Sequence, residues 1–194
     1  MATTAQAIKE WEAIEENGPA AEAEWVKLYA HMPPITKMDA SLATLANCER
    51  LALSTNSIDR IGSLAGMGKL KILSLGRNAI KKIDHLEDVA GTLEELWISY
   101  NNISTLDGLG ACQNLTTLYI SNNGIKAWDE LDKLTANPNL KDVLFVGNPI
   151  YDEFEKAQCR IEVLKRLPDI AKIDGDMVKP NEREEAIAQQ AAVE

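Results

Sequence analysis

The sequence predicts an α/β solenoid of about five to six stacked coils, with a parallel β-sheet on one face and helical caps at both ends. Three observations carry that expectation: a motif that returns five times at near-constant spacing, a second apolar series between the copies, and non-repeating segments at the two termini. The copies are "CERLALSTNSI" from Cys48, "LKILSLGRNAI" from Leu70, "LEELWISYNNI" from Leu93, "LTTLYISNNGI" from Leu115 and "LKDVLFVGNPI" from Leu140. They share the frame LxxLxLxxNxI, and their asparagines, Asn56, Asn78, Asn101, Asn123 and Asn148, stand 22, 23, 22 and 25 residues apart. That is the period of leucine-rich repeats.

Each copy supplies a short strand, such as Leu93, Leu96 and Ile98, and returns through apolar residues such as Ile58, Ile61, Leu64 and Met67. One coil cannot bury both series, so stacking must: strands form the sheet and returns form an opposite helical or 3₁₀ face. The asparagine points inward, where its amide needs hydrogen-bond partners, and backbone groups of adjacent coils are the nearest.

The elements follow in order. Residues 1–34 form the N-terminal cap, read as helical to about residue 32, with Trp25, Leu28 and Tyr29 on one helix face and Pro33-Pro34 as the stop. The repeats occupy 35–150 and open on a degenerate return, Ile35, Met38, Leu42 and Leu45. The C-terminal cap spans 151–178, with Ile161, Val163, Leu164 and Leu167 on a helix that closes the last coil. The tail, 179–194, is acidic and carries few large apolar residues besides Ile187 and Val193, which predicts a loose helix or disorder.

Composition narrows the function. A chain of 194 residues with 45% hydrophobic content suits a single domain. Its net charge of −10 argues against nucleic acid and anionic membrane as partners. Three cysteines without CxxC spacing suggest neither a disulfide framework nor a zinc site, and the chain is expected in a reducing compartment. It shows no secretory h-region and no apolar run of membrane-spanning length.

Catalysis finds no support in the residues. "GSLAGMGKL" imitates a phosphate loop, but Ser63 replaces the first glycine and Leu70 the magnesium-binding hydroxyl. His31 and His85 lie in the cap and in a return, with no acid–base partner in the pattern. Cys48 and Cys112 occupy core positions of the repeat. The chain is expected to be no enzyme, to need no cofactor and to be monomeric in isolation.

The sheet face is where the pattern departs from a plain scaffold. Strand side chains alternate, so residues between the core positions point outward. In register, the middle outward positions read Ala52, Ser74, Trp97, Tyr119 and Leu144. Trp97, Tyr119, Leu144 and Val146 should form an exposed apolar patch with Tyr100 at its edge and Glu95 and Asp142 at its rim. Such a patch marks a binding surface, unless the tail folds over it or the aromatics only stiffen the sheet.

The strings "PPITKMDASLATLANCERLALSTNSIDRI", "KILSLGRNAIKKI", "GTLEELWISYNNI" and "RIEVLKRLPDIAKIDG" closely resemble the leucine-rich-repeat light chains of outer-arm axonemal dynein. The resemblance implies a non-catalytic subunit of the ciliary motor. It would reside in the cytoplasm, on the cytoskeleton of the cilium or flagellum axoneme. There it would bind a dynein heavy chain at the microtubule-binding domain of the stalk and modulate how the motor meets the microtubule. It also implies that the patch of Trp97, Tyr119, Leu144 and Val146 contacts the partner, to which Tyr100 at its edge is added from the register, and that the C-terminal segment from Met177 to Glu185, including Arg183, projects toward the motor. Contact with tubulin is proposed for such light chains. The net charge opposes it unless Lys69, Lys71, Arg77, Lys81 and Lys82 present one basic cluster. The competing function is a regulatory subunit of a protein phosphatase or other intracellular complex, which could use the same patch.

Overall fold

Alternation of apolar and polar residues decides the architecture. The computed structural model describes residues 1–192. In chain order its elements are β1 (Ala2–Thr3), α1 (Thr4–Glu12), β2 (Trp25–Lys27), β3 (Ile35–Lys37), β4 (Arg50–Ala52), β5 (Ile72–Ser74), β6 (Glu95–Trp97), β7 (Thr117–Tyr119), β8 (Asp142–Leu144), α2 (Lys156–Arg166), β9 (Lys172–Ile173), β10 (Asp176–Met177) and α3 (Pro180–Ala191). β1 and β3 pair with each other, and the remaining strands form one sheet in the order β10-β9-β8-β7-β6-β5-β4-β2. Every pair in it is parallel except the β9–β10 hairpin. Leu51, Leu73, Leu96, Leu118 and Val143 stand opposite one another on successive strands and are buried. The returns run through 3₁₀ segments, among them Glu87–Val89 and Trp128–Ala136, and bury Ile58, Ile61, Leu64 and Met67 against the strands.

The inward asparagines form the expected ladder. Asn101 Nδ2 donates to the carbonyls of Ile98 in its own coil and Leu75 in the preceding one, both at 3.0 Å, and its Oδ1 accepts from Ile80 N at 2.9 Å. Asn56, Asn78, Asn123 and Asn148 repeat the arrangement. The residue before each of the first four asparagines, Thr55, Arg77, Tyr100 and Asn122, adopts a left-handed φ of 57°, 56°, 58° and 52°. Gly147 takes the same place before Asn148, where the left-handed turn costs a glycine least.

The N-terminal cap departs from the expectation of one helix to residue 32. α1 ends at Glu12, and Gly18, with φ of +66°, and Pro19 break the chain. Trp25–Lys27 is the strand β2, paired with β4, so the sheet begins inside the segment read as a cap. Val26 and Leu28 enter the core in strand alternation, while Trp25 and Tyr29 face out. The i, i+3, i+4 coincidence of Trp25, Leu28 and Tyr29 masked that period-2 signal.

Polar latches fasten both ends. The Asp39 carboxylate accepts from Ala5 N in the first turn of α1 at 3.3 Å, from Thr4 Oγ1 at 3.0 Å and from Ser41 N at 3.0 Å. It therefore caps α1 and the 3₁₀ segment Ala40–Thr44 together. At the other end Ile161, Val163, Leu164 and Leu167 close the last coil as expected. The tail takes the helical alternative: α3 docks on α2 through the buried Arg160, whose guanidinium donates to Glu182 Oε1 at 2.5 Å and Oε2 at 3.0 Å and to Ile173 O at 2.6 Å. Ile187 stays exposed, and Val193 lies outside the described residues.

Replacing Asn101 by Ala should strand its three backbone partners and cost about 1–3 kcal/mol; denaturant melts should show a lower midpoint at unchanged slope. The Asp39 latch predicts acid sensitivity. Burial pushes its carboxyl up, but the Ser41 hydroxyl and amide, with Thr3 and Thr4, outweigh burial and hold it well below the usual carboxylate range. A carboxyl depressed on folding adds stability above its unfolded pKa of about 4, and that stability is lost as pH falls from there through the folded value. Melting temperature followed from pH 7 to acid should therefore fall less steeply for Asp39→Asn than for the unaltered chain.

Candidate protein-docking surface

The outward positions of the sheet read, in the observed register, Lys27, Ala52, Ser74, Trp97, Tyr119 and Leu144 across β2, β4, β5, β6, β7 and β8. Trp97 sits between Leu96 and Ile98, both wholly buried, and is itself 39% exposed. Its ring stacks on Tyr119 with centroids 6.0 Å apart and planes 24° from parallel. Leu144 follows at half burial on the next strand, and Val146 is 40% exposed beyond it.

Rim carboxylates hold the two rings in place. Trp97 Nε1 donates to Glu95 Oε2 at 2.9 Å, and Tyr119 OH donates to Asp142 Oδ2 at 2.9 Å. Lys172 Nζ reaches the same Asp142 oxygen at 3.0 Å. Burial and the Asp142 charge both raise the Tyr119 hydroxyl pKa, so the ring stays a neutral donor at physiological pH. Each aromatic has its polar atom satisfied inside the chain and offers its apolar face outward. The arrangement suits contact with an apolar partner surface.

Tyr100 reaches this surface by another route. It occupies the left-handed position before Asn101, so it leaves the strand alternation and stands at the sheet's edge, 48% exposed under the Arg77 guanidinium at 4.4 Å. Arg183 does not join the patch. Its guanidinium donates to the carbonyls of Pro168 and, at 2.5 Å, Ile170, tying α3 to the loop after α2. The basic residues of one coil do not converge either. Lys69 and Lys71 precede β5, Arg77 follows it, and Lys81 and Lys82 lie on the return; Lys71 is paired with Glu49 at 2.9 Å.

Three features went unread in the sequence. Trp25 and Tyr29 lie on this same face at the N-terminal end of the sheet, 50% and 57% exposed. The signal was there, since Val26 and Leu28 repeat the LxL spacing of the motif. Trp128 stacks on Tyr151 with centroids 6.0 Å apart beneath the C-terminal cap, and its Nε1 donates to Glu153 at 3.0 Å. The third is Arg160, a cation between Cys159 and Ile161 in an otherwise apolar run. The thiols of Cys48 and Cys112 lie in the core, where burial pushes both up to about 11 and leaves them unreactive near neutrality. Among the described residues no cluster of three His, Cys, Asp or Glu side chains could hold a metal ion, and no helix is long and apolar enough to cross a membrane.

The coil geometry, asparagine ladder and parallel sheet define a leucine-rich-repeat protein, and residues 92–133 match the family model "Leucine Rich repeats (2 copies)". Among solved structures the fold resembles internalin C2 of Listeria monocytogenes, with a TM-score of 0.51 and 29% identity, covering 59% of this chain and 53% of that one. Dynein axonemal light chain 1 of Chlamydomonas reinhardtii is 60% identical over 171 residues, 86% of either chain. The protein of that name from Danio rerio is 57% identical over 184 residues, 94% of this chain and 95% of its own. The chain belongs to the dynein axonemal light chain 1 family.

Leu96 and Trp97 are neighbours with opposite roles, and stability should separate them. Leu96→Ala should open a core cavity and cost about 2–5 kcal/mol. Trp97→Ala should cost about 1 kcal/mol, the worth of its stack on Tyr119. Thermal and denaturant melts of the two variants side by side check the contrast.

Proposed function

We propose that this chain is a non-catalytic light chain of ciliary outer-arm dynein that binds a heavy chain at the microtubule-binding domain of its stalk. The stacked pair of exposed Trp97 and half-buried Tyr119, on adjacent strands whose other face is core, is the observation that carries the reading. Leu144 and Val146 extend the contact and Tyr100 borders it, while Arg183 contributes by holding α3 against the cap. The relatives' name supports association with dynein and residence in the axoneme of a cilium or flagellum.

The mechanism is mechanical. A coil stack whose aromatics are already locked by Glu95 and Asp142 binds without reordering them, so little affinity is lost to side-chain entropy. Clamped near the stalk tip, a rigid body of net charge −10 alters the charge and shape that the tip presents to the microtubule. The heavy chain, rather than tubulin, is the direct partner in this reading, because Lys69, Lys71, Arg77, Lys81 and Lys82 are dispersed around a coil instead of gathered on one surface.

Trp97→Ala should weaken affinity for the isolated stalk microtubule-binding domain by roughly 2–4 kcal/mol, about 30- to 1,000-fold, since a central aromatic anchor is lost. Calorimetric titration with folded variant protein checks this. Unchanged affinity would remove the patch from the interface.

A further inference from the structure

The sheet face has a second aromatic wall. On β2 and just beyond it, Trp25 and Tyr29 project outward with Lys27 between them, and Lys27 Nζ lies 4.0 Å from the centroid of the Trp25 ring. Arg50, opposite Trp25 on β4, approaches the same ring at 6.0 Å. Across the sheet, Trp97 and Tyr100 form the facing wall. The strands between, β4 and β5, present Ala52 and Ser74 in the middle row, with Ser54 and Gly76 in the next.

The spacing suits one kind of partner. Three interstrand steps of about 4.8 Å separate β2 from β6, so the walls stand about 14 Å apart. An α-helix with its side chains is about 10–12 Å wide. Along the strands the walls run from Trp25 to Tyr29, about 13 Å, which is about nine residues of helix. The floor makes a small polar demand: Ser54 Oγ and Ser74 Oγ lie 2.6 Å apart, so one hydroxyl donates to the other and a single hydroxyl hydrogen is left for solvent or a partner's acceptor. Apolar side chains on the underside of a helix would meet small side chains at Ala52, Ser74 and Gly76, with one open hydroxyl donor among them.

Charge selects the helix. Neither Lys27 nor Arg50 is paired with a carboxylate among the described residues, although the chain is strongly acidic. Both stand on the β2 side of the trough, and Glu95 stands on the other. We propose that the trough between Trp25 and Trp97 seats an amphipathic α-helix of the partner, with acidic residues along the edge facing Lys27 and Arg50 and large apolar residues against Ala52, Ser74 and Trp97. This rests on the docking of the dynein heavy chain to the sheet face. It extends that contact across the whole face and assigns the secondary structure and charge of the segment that is held.

The test titrates the isolated stalk microtubule-binding domain of an axonemal dynein heavy chain onto variants of the full light chain, each verified by melting curve. Ser74→Trp fills the trough beside Trp97, and Ala52→Trp fills it one strand away if the first variant fails to fold. Either should weaken binding at least tenfold. Lys27→Glu combined with Arg50→Glu should weaken it at least tenfold at low salt, with the difference shrinking as salt rises. A photo-crosslinker at position 74 should capture partner residues spaced three and four apart. Trough-filled and charge-reversed variants that bind normally, while Trp97→Ala does not, overturn the helix and leave the patch reading standing. Capture at every second residue, the mark of a strand, also overturns it. If Trp97→Ala binds normally too, the docking reading fails and the helix fails with it.

Discussion

One side-chain amide per coil sets the terms for everything else. A solenoid coil must turn out of its strand with backbone groups facing inward, where no water satisfies them. The ladder asparagine meets that need by donating to the carbonyl ending its own strand and to one in the coil before, while accepting the amide that begins the preceding return. The left-handed residue just ahead of it makes the turn tight enough for this reach. Because each asparagine bridges two coils, the stack is cooperative between neighbours, and the repeat spacing tolerates insertions only in the return, as the 25-residue interval before Asn148 shows.

This constraint frees the opposite face. Folding requires the buried file from Leu51 to Val143 and the asparagines, and it requires nothing of the outward side chains beyond tolerance of a strand. The two exposed aromatic walls and the small residues between them are therefore free of the core's demands, and partner contact is the role proposed for them. Locking Trp97 and Tyr119 through Glu95 and Asp142 removes rotamer freedom before any partner arrives.

What the sequence made legible follows from the same physics. Five coils were readable because the asparagine and its apolar frame recur in full, and the register of Ala52, Ser74, Trp97, Tyr119 and Leu144 followed from alternation alone. The first strand was not, because its coil lacks the asparagine. His31 stands there instead, its ring within 2.7 Å of Pro33 O and 2.9 Å of Glu10, and three residues at helical spacing imitated a helix face. The tail was ambiguous for a different reason: α3 is held by Arg160, Glu182, Arg183 and glutamine contacts, which leave no hydrophobic period to read. The family resemblance directs Arg183 outward, whereas its bonds to the carbonyls of Pro168 and Ile170 are set by tertiary contacts that no local pattern encodes.

The ends and the middle of the molecule are thus stabilised by different forces. The coils rest mainly on apolar burial and neutral amide bonds, with carboxylates joining neighbouring returns where Asp88 accepts from Leu64 N at 3.1 Å and Glu130 from Leu106 N at 2.9 Å. The caps rest on carboxylates: Asp39 at α1, Glu182 drawn below its ordinary range by Arg160, and Asp174, which accepts Phe145 N at 2.7 Å and Val146 N at 3.0 Å from the edge of the last coil and Tyr151 OH at 2.5 Å. Protonation of Asp39 and Glu182, both held below the ordinary carboxylate range, removes stability from the caps as pH falls. Asp174 matters most for the docking face, because it fixes the backbone of Val146, and with it the C-terminal margin of the patch, through the same carboxylate that anchors the closing hairpin. The rigidity of that margin is borrowed from the cap. A change that loosens the hairpin reaches the proposed docking patch through Val146, although the hairpin does not belong to it.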